Sequence, residues 1–427
     1  MNQKYDVIII GGRVAGASLA IHLSRQQRKV LLIEKATFPS WPGVPSSPAI
    51  HPGTMRLLDE LGLAEEEYTH PAAKATHFIL DVMDKFQAVM PIELVQLDRN
   101  YVYGLDRNKF DTVLWQRAAR LPTVTAYNNL AMTDVLWDGS GRVTGIVARH
   151  GKTEMTFQAD LVVGADGRFS QAARKFGSEP FEELNDYPSA SYHAEWEGVT
   201  AYSEAIPQPL LIYQRPGGFS WLCIPTDKHK YIIANYFRTS EAKFEGKLEE
   251  NYLQTIQAVP SLWQRLKNAK RITPVVGVRR IDNGYRQAYG DGWALVGDAF
   301  HYESPIDGQG IYNALLASKF LAEAIEQWQG GRAWLDSGRD YQQRFYQTTH
   351  DMLKQTINRI QLELYSSPPP FVINTLARWS LTDPIYQRQF LLYLCRAIDP
   401  NSFSFGPTPG PIVRGLMRDL AGLFKRR

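Results

Sequence analysis

The hexapeptide Gly11-Gly12-Arg13-Val14-Ala15-Gly16 follows the apolar run Val7 to Ile10 and opens onto the apolar stretch Ala17 to Leu23. Strand, tight turn and helix in that order make the first half of a nucleotide-binding βαβ unit. Missing side chains let the backbone approach a pyrophosphate, and the helix N-terminus turns unpaired N–H groups and its positive dipole end toward the anion. The next apolar strand, Lys29 to Ile33, ends at Glu34, 18 residues beyond Gly16, where a carboxylate can accept hydrogen bonds from both hydroxyls of a ribose. An adenosine half is therefore expected. Arg13 stands where the usual motif has its second glycine, which leaves two readings: the side chain turns outward and only its backbone meets the phosphate, or its guanidinium pairs with the phosphate directly.

A second glycine-rich stretch runs from Gly297-Asp298 to Gly308-Gln309-Gly310, between a buried-type strand, Trp293 to Val296, and a helix, Gly310 to Gln327. A third, Gly164-Ala165-Asp166-Gly167-Arg168, follows the strand Ala159 to Val163 and precedes a helix from Ser170 to Phe176. The chain of 427 residues is long enough for two or three lobes and for burying a cofactor completely.

Between these motifs the composition alternates. The proline- and serine-rich loop Pro39 to Pro52 is expected to lack regular structure until a helix at Gly53 to Leu61. Runs at His77 to Val82 and Phe86 to Ile92 predict a hairpin, and Ala131 to Trp137 with Val143 to Arg149 predict another around Asp138-Gly139-Ser140-Gly141. A helix begins near Arg107 and continues to Ala119. Ser191 to Glu197, Leu210 to Gln214, Trp221 to Ile224 and Tyr231 to Phe237 predict a separate sheet, followed by a helix at Leu248 to Val259. Helical patterns fill the remainder, with a break at Ser366 to Pro370. The last helix, Ile412 to Arg427, gathers Val413, Leu416, Leu420 and Phe424 on one side and ends in Lys425-Arg426-Arg427. One short basic end favours a helix docked on its own protein over contact with a membrane surface.

A formal net charge of +3 gives no reason to invoke nucleic acid. Cys223 and Cys395, the two cysteines of the chain, exclude a disulfide framework and a cysteine-rich metal site. With no apolar run near the ~18 residues of a membrane span and no secretion signal, a cytoplasmic protein is expected. The oligomeric state stays open.

With all three motifs in order over roughly residues 5 to 330, the chain resembles the single-component FAD-dependent aromatic hydroxylases of the para-hydroxybenzoate hydroxylase type. Geranylgeranyl reductases and flavin halogenases share that fold. The resemblance implies an α/β architecture: a Rossmann-type FAD-binding domain assembled from residues 1–75, 98–178 and 272–330, a substrate-binding sheet domain from 76–97 and 179–271, and a helical C-terminal region, 331–427. It further implies that FAD is held by Gly11, Gly12, Arg13, Val14, Ala15, Gly16, Glu34, Lys35, Ser47, Arg107, Asp166, Asp298, Pro305, Gly308, Gln309, Gly310 and Ile311. Pro305 and Asp298 would lie on the flavin side; Asp166 with Gly167 either touches the cofactors or only ties its turn, Arg107 either reaches FAD or forms a surface salt bridge, and His301 orders a turn.

Substrate would meet Tyr213, Arg215 and Trp221, with His51, Tyr192 and His193 as lesser candidates. Val44, Pro45, Ser46 and Ser47 replace the basic residues common in phenol hydroxylases, which weakens the case for a small carboxylated aromatic substrate. The implied reaction is NAD(P)H-dependent hydroxylation or epoxidation of a hydrophobic, aromatic or polyketide-like molecule by O2 through a flavin hydroperoxide, with no metal and no obligatory protein nucleophile. NADH or NADPH would bind transiently, since no second fingerprint exists for it. The alternatives are a reductase of polyprenyl double bonds, a halogenase, for which Phe219 to Pro225 is a poor match to the paired-tryptophan motif and Lys74 an unconvincing lysine, and a non-catalytic prenyl or lipid carrier.

Overall fold

The computed structural model describes residues 4–425 apart from 44–45, 70–71, 73, 216–217 and 243–247. Val44, Pro45, Arg426 and Arg427 thus lie outside the described residues, as do the side chains of Phe424 and Lys425.

Strand β1 (Lys4–Ile10) feeds helix α1 (Val14–Arg25), which returns to β2 (Val30–Ile33). The two strands are parallel and Ile10 pairs with Ile33, so Gly11 and Glu34 emerge at the same carboxyl edge, where such sheets bind ligands. The proline-rich loop is less irregular than its composition suggests: Ala49–Ile50 forms a short strand on Val102–Gly104, a distant partner that satisfies the buried backbone of Ile50. The helix after it spans Pro52–Glu60.

The chain continues through hairpin strands β3 (His77–Val82) and β4 (Phe86–Pro91), helix α2 (Arg107–Ala119), β5 (Val124–Tyr127) and the long β6 (Thr153–Gly164). Four strands follow: β7 (Ser189–Glu197), β8 (Leu210–Arg215), β9 (Phe219–Asp227) and β10 (Lys230–Arg238). The single helix expected at Leu248 to Val259 stops at Gln257 as α3 (Leu248–Gln257), and Pro260, well placed in a first turn, opens a separate α4 (Pro260–Leu266). Strand β11 (Trp293–Leu295) then leads to α5 (Gly310–Gln329), α6 (Trp334–Ile360), the short α7 (Arg378–Leu381), α8 (Pro384–Leu394) and α9 (Pro409–Lys425).

Two large sheets organise these elements. The first has the parallel order β11-β6-β1-β2-β5, extended antiparallel by the hairpin 131–150. Its central strands are near-continuous apolar runs because helices cover both faces. The second has the order β7-β10-β9-β8-β3-β4, antiparallel except where β8 meets β3, so the early hairpin joins strands more than a hundred residues later. One face of this sheet packs on α3 and α4 through Trp221, Tyr192, Tyr213 and Tyr252. The other packs on the C-terminal helices through Ile212, Leu222, Phe390 and Tyr393.

Candidate cofactor site and the cavities beside it

Helices α1 and α5 lie side by side. The Ser318 hydroxyl donates to the Ala15 carbonyl at 2.8 Å, and Gly297 packs against Ala15 so closely that a Cβ would sit 2.7 Å from the alanine methyl. Neither helix has a side-chain N-cap or an acidic residue in its first turn. Their unpaired N–H groups open into one groove lined by Gly11, Arg13, Val14, Ala15, Glu34, Lys35, Ser47, Arg107, Asp166, Asp298, Pro305, Gly308, Gly310 and Ile311. Two positive helix ends converging on one space is a costly arrangement without an anion.

Several glycines are required by packing before any ligand enters. A Cβ at Gly16 would lie 1.8 Å from the Gly11 carbonyl oxygen, and one at Gly12 would lie 2.4 Å from the Trp115 ring. Gly12, Gly16 and Gln309 do not line the groove; Gln309 is buried and bonds to Arg396 and the Leu394 carbonyl. Gly310 differs, because a Cβ there would meet nothing within 4 Å. The groove encloses about 1710 Å³ of atom-free space, its open mouth included, and its donor set suits a dinucleotide: N–H groups at two helix ends for a pyrophosphate and the Glu34 carboxylate for a ribose.

The Arg13 side chain has protein partners of its own beside the groove. Its guanidinium donates to Asp111 at 2.7 Å, to the Ser40 carbonyl at 3.0 Å and hydroxyl at 2.9 Å, and to the Trp41 carbonyl at 3.3 Å. Arg107 grips the same carboxylate with two bonds of 2.9 and 3.0 Å and holds the Ser46 hydroxyl at 2.8 Å. Asp111 is fully buried between the two arginines, which also hold Ser40, Trp41 and Ser46. One carboxylate against two cations leaves a net positive charge beside the groove. Asp111 carried no signal in the sequence: it lies 98 residues from Arg13 and reads as one more polar residue of a helix.

Glu34 is buried and accepts the Gly12 and Ala36 N–H groups at 2.9 and 3.0 Å, which aims its remaining lone pairs at the groove. Asp166 ties its turn: one oxygen accepts the Ser170 hydroxyl at 2.5 Å and the other accepts the Gln171 and Ala172 N–H groups. The Asp298 carboxylate accepts no hydrogen bond from the described residues and faces the groove; burial raises its pKa, with Arg168 opposing. Arg168 spans the groove floor, donating to the Asp282 and Glu303 carbonyls at 3.3 and 3.0 Å. Glu303, which sequence reasoning missed, also lines the groove and receives Asn313 at 2.6 Å. Burial works to raise its pKa, yet His301, Arg396 and Asn313 more than offset this and hold it low. His301 stacks on Tyr285 with centroids 4.2 Å apart and reaches the Gly284 carbonyl, so it orders the turn.

Residues 4–352 match the family model of an FAD binding domain. The chain belongs to this family of FAD-binding proteins. It is therefore an FAD-dependent flavoenzyme, an oxidoreductase whose individual reaction varies among its relatives. It is 24% identical to a 1H-pyrrole-2-carbonyl-[peptidyl-carrier protein] chlorinase of Pseudomonas fluorescens over 76% of this chain and 77% of that one. It is 27% identical to digeranylgeranylglycerophospholipid reductase 2 of Methanothermobacter thermautotrophicus, covering 76% and 79%. A 6-methylpretetramide 4-monooxygenase of Streptomyces rimosus is 25% identical, covering 78% of each chain. Among solved structures, the flavin-dependent brominase Bmp2 superposes with a TM-score of 0.76 at 20% identity, covering 99% of this chain and all of that one, which shows a shared fold.

At the Gly308 end, this FAD-family groove meets an apolar cavity of about 590 Å³ through the shared residues Ser47 and Gly308. Phe78, Ile92, Val102, Leu210, Ile212, Leu222 and Ile306 line it, with His51 at the edge. His51 also caps the helix Pro52–Glu60, and burial lowers its pKa to about 3, with Arg396 acting in the same sense. Ile212 and Arg359 connect this space to a second one of about 890 Å³, walled by Leu80, Val82, Ile373, Phe390, Phe405 and Pro407. The buried Arg359 is held by Asp307 and by Glu363 at 2.7 Å; Glu363 also binds Gln214 and Ser220.

The aromatic residues singled out as substrate contacts sit elsewhere. Side chains alternate along β8 and β9, so Leu210, Ile212 and Leu222 face the cavities while Tyr213 and Trp221 point to the opposite face. Tyr192 shares that face and packs on Phe237. Arg215 is paired with Asp81 and Asp84. His193 lies on the cavity side of β7, buried, with its ring stacked on Trp41. Lys74 is half-exposed, its ammonium 4.1 Å from the centre of the Tyr101 ring.

Proposed function

We propose that the protein is an NAD(P)H-consuming FAD monooxygenase that hydroxylates or epoxidises a hydrophobic, aromatic or polyketide-like small molecule. The observation that carries this reading is the apolar cavity opening at Gly308, beside the uncapped N-terminus of α5. In this reading Gly11 to Gly16 and α1 hold the pyrophosphate, Glu34 and Lys35 the ribose, and Asp298 the hydroxyls of the ribityl chain. Pro305 packs beside the flavin ring, and the N–H groups of Gly308 to Ile311 stabilise negative charge at its pyrimidine end. Bound FAD, once reduced by NAD(P)H, supplies the activation of O2. The protein contributes exclusion of water and aim: Leu210, Ile212, Leu222 and Ile306 present an apolar surface beside Ser47 at the groove.

One observation favours a second reading. The cavity continues past Ile212 and Arg359 into the larger one, a length suited to a reductase of polyprenyl chains. Halogenation, the chemistry of two of the relatives, finds less support here: Trp221 is packed on Tyr252 in the outer core, and Lys74 lies against Tyr101 and Glu65 away from the cavities. Oxygen decides between the readings. NAD(P)H oxidation by the purified flavoprotein should consume O2 faster when the right hydrophobic aromatic compound is added, and the product should gain one oxygen atom from labelled O2. Product formed only under anaerobic conditions would replace this reading with the reductase, and a halide-dependent product would replace it with the halogenase.

A further inference from the structure

Helix α9 leaves its apolar stripe in the open. Val413, Leu416, Met417 and Leu420 are 49%, 45%, 63% and 46% exposed, and their spacing of three and four residues places them along one side of the helix. The opposite side does the docking. Gly415 lies so close to Trp379 of α7 that a Cβ would come within 2.3 Å of its side chain, and Asp419 accepts from Arg378 at 2.7 Å and Trp379 at 2.8 Å. A helix docked for stability alone would turn this stripe inward; α9 docks on its own protein through the opposite side.

Charge says what covers the stripe. Residues 409–427 carry Arg414, Arg418, Lys425, Arg426 and Arg427 against the single carboxylate of Asp419, a net charge of +4. A second copy of the same helix would bring like charge against like, whereas an anionic bilayer accepts both the apolar stripe and the cations. Phe371 and Ile385, in segments that also pack on α7, are 66% and 55% exposed. The same elements border the larger apolar cavity: Phe405, Gly406 and Pro407 line it and run directly into α9, and Ala377, Ser380 and Leu381 line it from the α7 side.

We propose that α9 is a peripheral membrane-binding helix that seats the enzyme on an anionic lipid surface beside the larger cavity. That the cavity takes its occupant from the bilayer rests on the functional reading above; the membrane contact itself does not. The test is co-sedimentation of the full flavin-loaded chain with phosphatidylcholine vesicles and with vesicles doped with phosphatidylglycerol, for the native protein and for a Leu416→Glu/Met417→Glu variant. The native chain should pellet with the anionic vesicles and be released by high salt, and the variant should bind roughly tenfold or more weakly. Flavin content and O2-dependent NAD(P)H oxidation without vesicles, read in parallel, should match between the two, because the changed residues are exposed; a single Met417→Glu change serves as a milder second variant. Native protein that stays in the supernatant overturns the proposal, and so does a variant that pellets as well as the native chain. A dimer that dissociates in the variant while vesicles are ignored assigns the stripe to a second copy instead.

Discussion

At the scale of single residues, Asp111 holds the site together. Two arginines, one just before α1 and one opening α2, depend on its carboxylate, and each also holds a serine, Ser40 or Ser46. Removing one partner of a buried ion pair leaves the other charge uncompensated, so Asp111→Ala should destabilise the protein by about 3–5 kcal/mol in urea unfolding. Flavin should also dissociate faster from it, because Arg13 and Arg107, which line the groove, lose their anchor; Asp111→Asn, which keeps hydrogen-bond acceptance, should fall between.

Three histidines, His51 and His193 buried and His22 half-buried, contribute to the pH response. Burial is the leading cause of the low pKa of His22, about 4, His51, about 3, and His193, about 4. Each stays neutral in the fold while its unfolded counterpart takes up a proton below pH ~6.5, so the unfolded state binds more protons and stability falls as pH is lowered from there toward 4. Between pH 6.5 and 5 each should withdraw about 1.6 kcal/mol. Unfolding titrations of the native protein and His193→Asn at both pH values should show a shallower loss in the variant.

At the scale of elements, the account turns on two helix N-termini. Gly310 begins α5 with open space where a side chain would be, and alanine is the better helix former. Gly310→Ala should therefore keep or raise the stability of the flavin-free protein while weakening FAD binding, measured by flavin fluorescence on titration. Gly16→Ala should fail in a different way, by disrupting the fold, since its Cβ would collide with the Gly11 carbonyl.

These two elements were legible in the sequence because each is fixed by local backbone needs. The faces of β8 and β9 were not. Their residues are apolar on both sides, and the aromatic ones, Tyr213 and Trp221, turned out to fill the outer core against α3 and α4. Period-two alternation separates two faces without saying which one meets a ligand. Aromatic bulk was a poor guide to it.

At the scale of the whole molecule, the cavity beside the cofactor groove is built from parts far apart in the chain: the early hairpin at Phe78, the sheet at Leu210 and Leu222, and the C-terminal helices at Leu391 and Leu394. The motifs announced the cofactor lobe, but no local pattern announced that the last hundred residues would wall the apolar cavities. Ile212 is shared by both apolar cavities, so Ile212→Trp should close the passage between them. FAD content should be unchanged, while KM for long hydrophobic substrates rises roughly tenfold or more and that for short ones changes little.

The account stands on where the flavin sits. Electron density from crystals of the FAD-loaded protein should place the pyrophosphate at Gly11 to Gly16 and the isoalloxazine beside Pro305, its pyrimidine edge at Gly310 and its far side open to Leu222. Density showing the ring away from Pro305, or the pyrophosphate away from α1, would contradict it.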